Sequence, residues 1–166
     1  SFLWVFTTIF VFDLAMINQI KRSALIAYSP DHMFDLVNDV ERYPEFLDGC
    51  VSTRLLEKTE HHVIAKMLLK KAGIEIGFTT KNTIIRPSKI IITLVDGPFK
   101  SFEGEWIFKE IGTEACKLSL DLSFQLNNSM ARFAASKLMT LVANDLVRVI
   151  CYRADKLYGD SSRASS

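Results

Sequence analysis

Seven glycines, four prolines and three cysteines are all that the 166 residues contain, and each scarcity removes a class of function. The glycines never gather into a phosphate-cradling loop, and no HExxH, GxSxG or CxxCH occurs, so P-loop, zincin and α/β-hydrolase chemistry are excluded. Cys50, Cys116 and Cys151 are odd in number, widely spaced and without a CxxC. That pattern supports neither a disulfide framework nor a zinc site, and suits buried thiols in a reducing cytoplasm. Charge of one sign is also missing. Twenty Lys and Arg face nineteen Asp and Glu for a net charge of +1, so no global field draws the chain to nucleic acid or an anionic membrane, and any such binding needs a local patch. What is plentiful is apolar side chain, at 49% of residues, enough to fill the core of one domain.

The two ends are set apart by composition. Phe2 to Phe12 is almost continuously apolar and gives way to Asp13. It lacks a basic flank and a small-x-small cleavage site, and is shorter than the roughly 20 apolar residues of a spanning helix. Met16 therefore reads as the natural start, with residues 1–15 an apolar extension outside the fold and a membrane anchor the alternative. Residues 16–159 read as one domain. The last residues, 160–166, are small and polar, and are expected to be disordered.

Between those ends the periodicity changes twice. Ile17 to Tyr28 mixes apolar and polar residues as an opening strand does. Ser29-Pro30-Asp31 then supplies an N-cap, a first-turn proline and an early acid, which start a helix carrying Met33, Phe34, Val37 and Val40 on one face. Pro44 ends it, ahead of a second short turn through Glu45 to Leu47. From Val51 to Asn127 the period is two. Breaks at His61-His62, Ala72-Gly73, Pro87-Ser88, Gly97-Pro98 and Gly112-Thr113 divide it into about six antiparallel strands in a meander, seven with the opening strand. The last strand alternates most cleanly, Cys116, Leu118, Leu120, Leu122, Phe124 and Leu126 against Lys117, Ser119, Asp121, Ser123 and Gln125. One face of the sheet is dry and one is wet. Beyond Asn127 about thirty residues run without Gly or Pro to Tyr158, carrying Met130, Phe133, Leu138, Leu141, Val142 and Val149 at helical spacing. A dry sheet face must be covered, and this long helix is what covers it.

No catalytic constellation appears within that frame. His61-His62 sits at a strand break without carboxylate or thiol partners at ligand spacing, which suits exposed turn histidines better than a metal pair. Asp39 and Glu41 lie on opposite sides of Val40 and do not face each other as an acid and base must. The chain is read as a non-enzyme that requires no metal or cofactor.

The stretch Asn38-Asp39-Val40-Glu41-Arg42-Tyr43-Pro44-Glu45-Phe46-Leu47-Asp48-Gly49-Cys50, with Phe78-Thr79-Thr80-Lys81-Asn82, Val95-Asp96-Gly97-Pro98-Phe99-Lys100 and Trp106-Ile107-Phe108, resembles the coenzyme Q-binding and ribosome-association-toxin branch of the START-like, polyketide cyclase-like proteins. The resemblance spans about Met16 to Gly159. It implies an α+β helix-grip fold, Bet v 1-like: a curved antiparallel sheet of about seven strands gripping a long C-terminal helix, with two short helices after the first strand. It also implies two activities. One is non-enzymatic binding of a hydrophobic small molecule (a ubiquinone, polyketide or prenyl lipid) in support of respiratory quinone function. The other is association with the large ribosomal subunit, blocking subunit joining. Both place the protein in the cytoplasm, the first also at the periphery of the inner membrane, and neither calls for DNA.

Each activity has its own residues. A cavity under the helix would be lined by Phe78, Thr80, Asn82, Phe102, Gly104, Trp106, Phe108 and Phe124 from the sheet and by Leu138, Leu141, Asp145 and Tyr152 from the helix. Flat rings there suit a quinone head, or else simply fill a core. Gly104, between Phe102 and Trp106, marks a kink or a close approach of ligand. Asp145 falls on the arc assigned to the sheet, where an unpaired carboxylate is costly. It either forms the polar end of the cavity with Thr80, Asn82 and Tyr152, or lies at the helix edge and pairs with Arg148. For the ribosome, Lys66, Lys70 and Lys81 are phased to the outer face, with Lys71 and Arg86 near strand ends. They either contact phosphate or are solvated lysines that keep a sheet from pairing with its neighbours.

Overall fold

The computed structural model describes residues 17–127 and 131–164, with side chains as far as Gly159. The apolar extension over 1–15, Met16, Met130 and the last two residues of the tail lie outside the described residues. Strand β1 (Asn18–Ile26) leads to helix α1 (Pro30–Asn38), a 3-10 helix (Val40–Glu45), strands β2 (Cys50–Lys58), β3 (His62–Lys71), β4 (Ile74–Ile85), β5 (Lys89–Asp96), β6 (Phe99–Ile111) and β7 (Ala115–Leu126), and helix α2 (Arg132–Ala164). The strands form one antiparallel sheet in the order β1-β7-β6-β5-β4-β3-β2. This is the helix-grip architecture.

α1 forms where its caps predict. The Ser29 hydroxyl accepts from the His32 amide at 3.2 Å, Pro30 opens the helix and Asp31 lies in its first turn, satisfying one of the orphan amides and the positive end of the helix dipole. The helix stops at Asn38, well before Pro44, which sits inside the 3-10 helix. The second turn therefore runs Val40–Glu45 and not Glu45 to Leu47. A bonded proline N–H is not needed there, because the Phe46 and Leu47 amides both bond to the Tyr43 carbonyl, and the buried Tyr43 hydroxyl donates to the Val37 carbonyl. That bond ties the bend back onto α1.

The sheet faces follow the period-two reading. Opposite Phe102, Trp106 and Phe108 of β6 stand Phe124, Leu120 and Leu118 of β7, and all but Phe102 are fully enclosed. Gly97 makes the β5–β6 turn with φ at +152°, and a Cβ there would come within 2.8 Å of the Phe78 Cβ. Only glycine lets this turn lie against the aromatic group of Phe78, Phe99 and Phe102, whose rings meet at 5.0–5.9 Å.

α2 lies across the dry face, but in a different rotation from the one its sequence suggests. Leu138, Met139, Val142, Ala143, Val147, Ile150 and Ala154 are buried, whereas Phe133, Leu141, Tyr152 and Leu157 are exposed. The stripe that packs keeps the α-helical period of 3.6 along its whole length. Stepping instead through 138, 141, 145, 149 and 152 follows a 3.5 repeat, which drifts off the buried face. The helix also continues through 160–164, where sequence composition suggests a disordered tail; once a helix is propagating, each added residue gains a bond at little further cost.

Candidate functional site

Three parts of the chain enclose a cavity of about 100 Å³ between the inner sheet face and α2. The bend contributes Val40, Tyr43 and Leu47; the sheet contributes Met67, Phe78, Thr80, Asn82, Ile92, Phe102, Trp106 and their neighbours; α2 contributes Met139, Val142, Ala143 and Leu146. Its walls are overwhelmingly apolar. No Asp, Glu, His, Lys, Arg, Ser or Cys lines it, so the described residues offer no acid, base or nucleophile beyond the Tyr43 phenol. Burial raises the Tyr43 pKa above its ordinary value of 10.0, with the neighbouring Cys50 and Asp39 charges adding to the effect. That phenol is held neutral and already engaged. Such a site binds; it has nothing with which to transfer a proton at neutral pH.

Five of the sequence-selected residues, Phe78, Thr80, Asn82, Phe102 and Trp106, come together in this cavity. The others do not. Phe108, Phe124 and Leu138 are buried in the surrounding core, because the cavity occupies only the stretch of sheet beneath the middle of α2. Gly104 lies behind the cavity wall: a Cβ on it would stand 2.9 Å from Leu122 Cδ1 and 3.4 Å from Ile92 Cδ1, and both of those side chains line the space. Its bareness lets these two cavity residues lie flat on β6. Leu141 and Tyr152 face solvent for the rotational reason given above. Asp145 is exposed and pairs with Arg148 at 3.2 Å, so it is the helix-edge reading that describes it.

Asp145 belongs to a surface cleft with Phe46, Asp48, Lys71, Leu141 and Arg148. Leu47 and Val142 line both this cleft and the cavity, so they form the partition between them. An ion pair spans the cleft from β3 to the bend: the Lys71 ammonium donates to Asp48, which lowers the Asp48 pKa and raises that of Lys71. Sequence reasoning missed Tyr43, Leu47, Met139, Ala143 and Leu146 as lining residues. The first two sit in a bend whose path no periodicity specifies, and the last three follow from the correct rotation of α2.

On the outer face Lys66 and Lys70 are exposed and Lys81 is half-buried. Lys66 stands opposite Arg54 of β2 on one side and Thr79 of β4 on the other. No ion pair joins any of these four cations to a carboxylate among the described residues. Carboxylates instead gather at the other half of the sheet, where Glu105 meets Lys89 at 3.6 Å and Asp121 meets Lys21 at 3.6 Å. His61 and His62 lie 3.3 Å from Glu60 and Glu57, and no group of three or more metal-ligating side chains occurs among the described residues. Among them too, no helix is long and apolar enough to cross a membrane.

Comparison with known proteins agrees with this geometry. A family model described as polyketide cyclase/dehydrase and lipid transport matches residues 26–150. The Vibrio cholerae protein named ribosome association toxin RatA is 41% identical over 143 residues, covering 86% of this chain and 99% of that one. The Escherichia coli K12 protein of the same name is 39% identical over 140 residues, covering 84% and 89%. Among solved structures, the Zhui aromatase/cyclase from Streptomyces sp. R1128 superposes with a TM-score of 0.73 at 15% identity, over 84% of this chain and 94% of that one. A protein of Thermus thermophilus gives 0.74 at 17% identity, over 85% and 99%.

Proposed function

We propose that this chain, which belongs to the polyketide cyclase/dehydrase and lipid transport family, is a non-catalytic binding module for a neutral, largely apolar small molecule of the quinone or prenyl-lipid class, serving respiratory quinone function. The observation that carries this reading is the apolar cavity with one polar point, Thr80 and Asn82, between the sheet and α2. That is the composition of a small-molecule site. The volume sets the scale of the bound part. An apolar cavity of roughly 150 Å³ accommodates benzene, so about 100 Å³ receives a single ring only as flexible walls yield. Met67, Met139 and Leu146 supply that adaptability. A prenyl tail would leave past Leu47 and Val142 into the outer cleft.

The test is gentle purification, native mass spectrometry and organic extraction. A stoichiometric prenylquinone or related lipid is expected. A protein that emerges empty and also takes up none of these lipids from micelles would remove the reading.

The relatives' printed name and the unpaired outer-face cations favour a second reading, association with the large ribosomal subunit. Arg54, Lys66, Lys70 and Lys81 form a local basic patch that the net charge of +1 conceals, and phosphate contacts by such groups weaken steeply with salt. Changing Lys66, Lys70 and Lys81 together to Glu is expected to abolish salt-sensitive cosedimentation with large subunits while leaving ligand content unchanged. Cosedimentation that survives the triple change would exclude this face.

A further inference from the structure

The polar point of the cavity has a direction. Thr80 and Asn82 are two apart on β4 and share its inner face, and the Thr80 hydroxyl donates to the Asn82 Oδ1 at 3.3 Å. With its oxygen so engaged, the Asn82 carboxamide turns its NH₂ group to the cavity it lines, and that nitrogen has no hydrogen-bond partner among the described residues. The opposite amide orientation would leave the Thr80 hydroxyl proton without an acceptor, which is costly on a half-buried strand. Of the other polar groups in the wall, the Tyr43 hydroxyl is turned to the Val37 carbonyl, and the indole of Trp106 can only donate. The cavity therefore holds unused donors and no charged group.

We infer that Asn82, oriented by Thr80, makes the cavity selective for a ring bearing a hydrogen-bond acceptor, and that it favours the oxidised, carbonyl form of a quinone-type ligand over the reduced, hydroxyl form. The oxidised ring brings two carbonyl acceptors, one of which takes the Asn82 N–H. The reduced ring brings two O–H donors into a space with no free acceptor, and each donor buried without a partner loses its bonds to water. A carboxylate is rejected for a different reason, since no cation lines the cavity to offset its desolvation. The inference rests on the ligand-binding reading above and adds to it a chemical and a redox preference.

The experiment uses the intact protein and three probes of one shape: durene, which has no oxygen; duroquinone, whose fully substituted ring cannot add a thiol; and durohydroquinone under anaerobic reducing conditions. Binding is followed by calorimetry and by the side-chain amide resonances of Asn82. Duroquinone is expected to bind roughly tenfold more tightly than durohydroquinone, the scale of one unmade buried hydrogen bond, and to shift the Asn82 NH₂ signals. Asn82→Leu should abolish that preference while still binding durene. Thr80→Val, which frees the amide to rotate and present its oxygen, should narrow the preference toward unity without loss of durene affinity. If all three probes bind equally, or durohydroquinone binds best, the donor inference fails and the cavity reading stands. If none binds, both fail together.

Discussion

Ala143 is the position at which a hollow interior and a filled one give opposite results. It lies on the buried side of α2 and its methyl group faces the cavity. At roughly 24 cal/mol per Å³, an unfilled space of about 100 Å³ costs the fold about 2.4 kcal/mol relative to a perfectly packed one. Ala143→Leu projects three more carbons into that space and sacrifices almost no helix propensity. Part of the fill will be imperfect, so the expected gain is about 1 kcal/mol, or a rise in Tm of about 3 °C for a domain of this size. The same side chain occupies the ring position, so affinity for duroquinone should fall at least tenfold. The assays are thermal unfolding by circular dichroism and calorimetric titration on the same preparation. An overpacked core behaves oppositely, losing about 1–3 kcal/mol. A Tm lowered by several degrees, or binding unchanged beside a raised Tm, would refute the argument that this space is both empty and the place where ligand goes.

Gly104→Ala pushes a Cβ to 2.9 Å from Leu122 Cδ1 and 3.3 Å from the Asp121 carbonyl; a loss of about 1–2 kcal/mol in urea unfolding is expected, together with weaker ligand binding because Leu122 must move into the cavity. Tyr43→Phe leaves the buried Val37 carbonyl without its donor and should cost about 1–3 kcal/mol, measured the same way. Lys71→Ala should return the Asp48 pKa upward toward its ordinary 3.8 in a carboxyl NMR titration. Because Lys71 depresses the folded-state value, the Asp48 contribution to stability is fully present above the ordinary carboxylate pKa and is lost as pH falls through the lowered one; in Lys71→Ala that acid-dependent component disappears.

Much of this architecture is legible in the sequence. The alternation from Cys116 to Leu126 assigns the faces of the sheet, and with them the inward placement of Phe78, Thr80, Asn82, Phe102 and Trp106, because a one-residue error in a strand would expose every apolar side chain. α2 is less constrained. Leu141 and Val142 are adjacent and both apolar, and only packing against the sheet decides which of them is buried. An offset of one position moves Leu141, Asp145 and Tyr152 to solvent and brings Met139, Ala143 and Leu146 inward. The Asn38–Cys50 bend is recognisable as a signature, yet its role as a cavity wall depends on the Tyr43 to Val37 bond, a tertiary contact that no period encodes. The distinction between a filled and a hollow interior is not legible at all, since the same residue types serve both.

The strand order carries a consequence for how the molecule comes into being. β1 is made first but pairs with β7, Asn18 opposite Phe124, and takes its place only when nearly the whole sheet has been synthesised. β2 to β7, by contrast, pair with their immediate successors and have short loops to close. As the chain leaves the ribosome at about 5–20 residues per second, the meander has several seconds in which to assemble with its dry face uncovered and the edge of β7 unpaired. The first strand and the last helix then arrive together, one sealing the edge and the other the face. Truncation from either end accordingly leaves this protein in its most aggregation-prone arrangement, a curved sheet with an open edge and no cover.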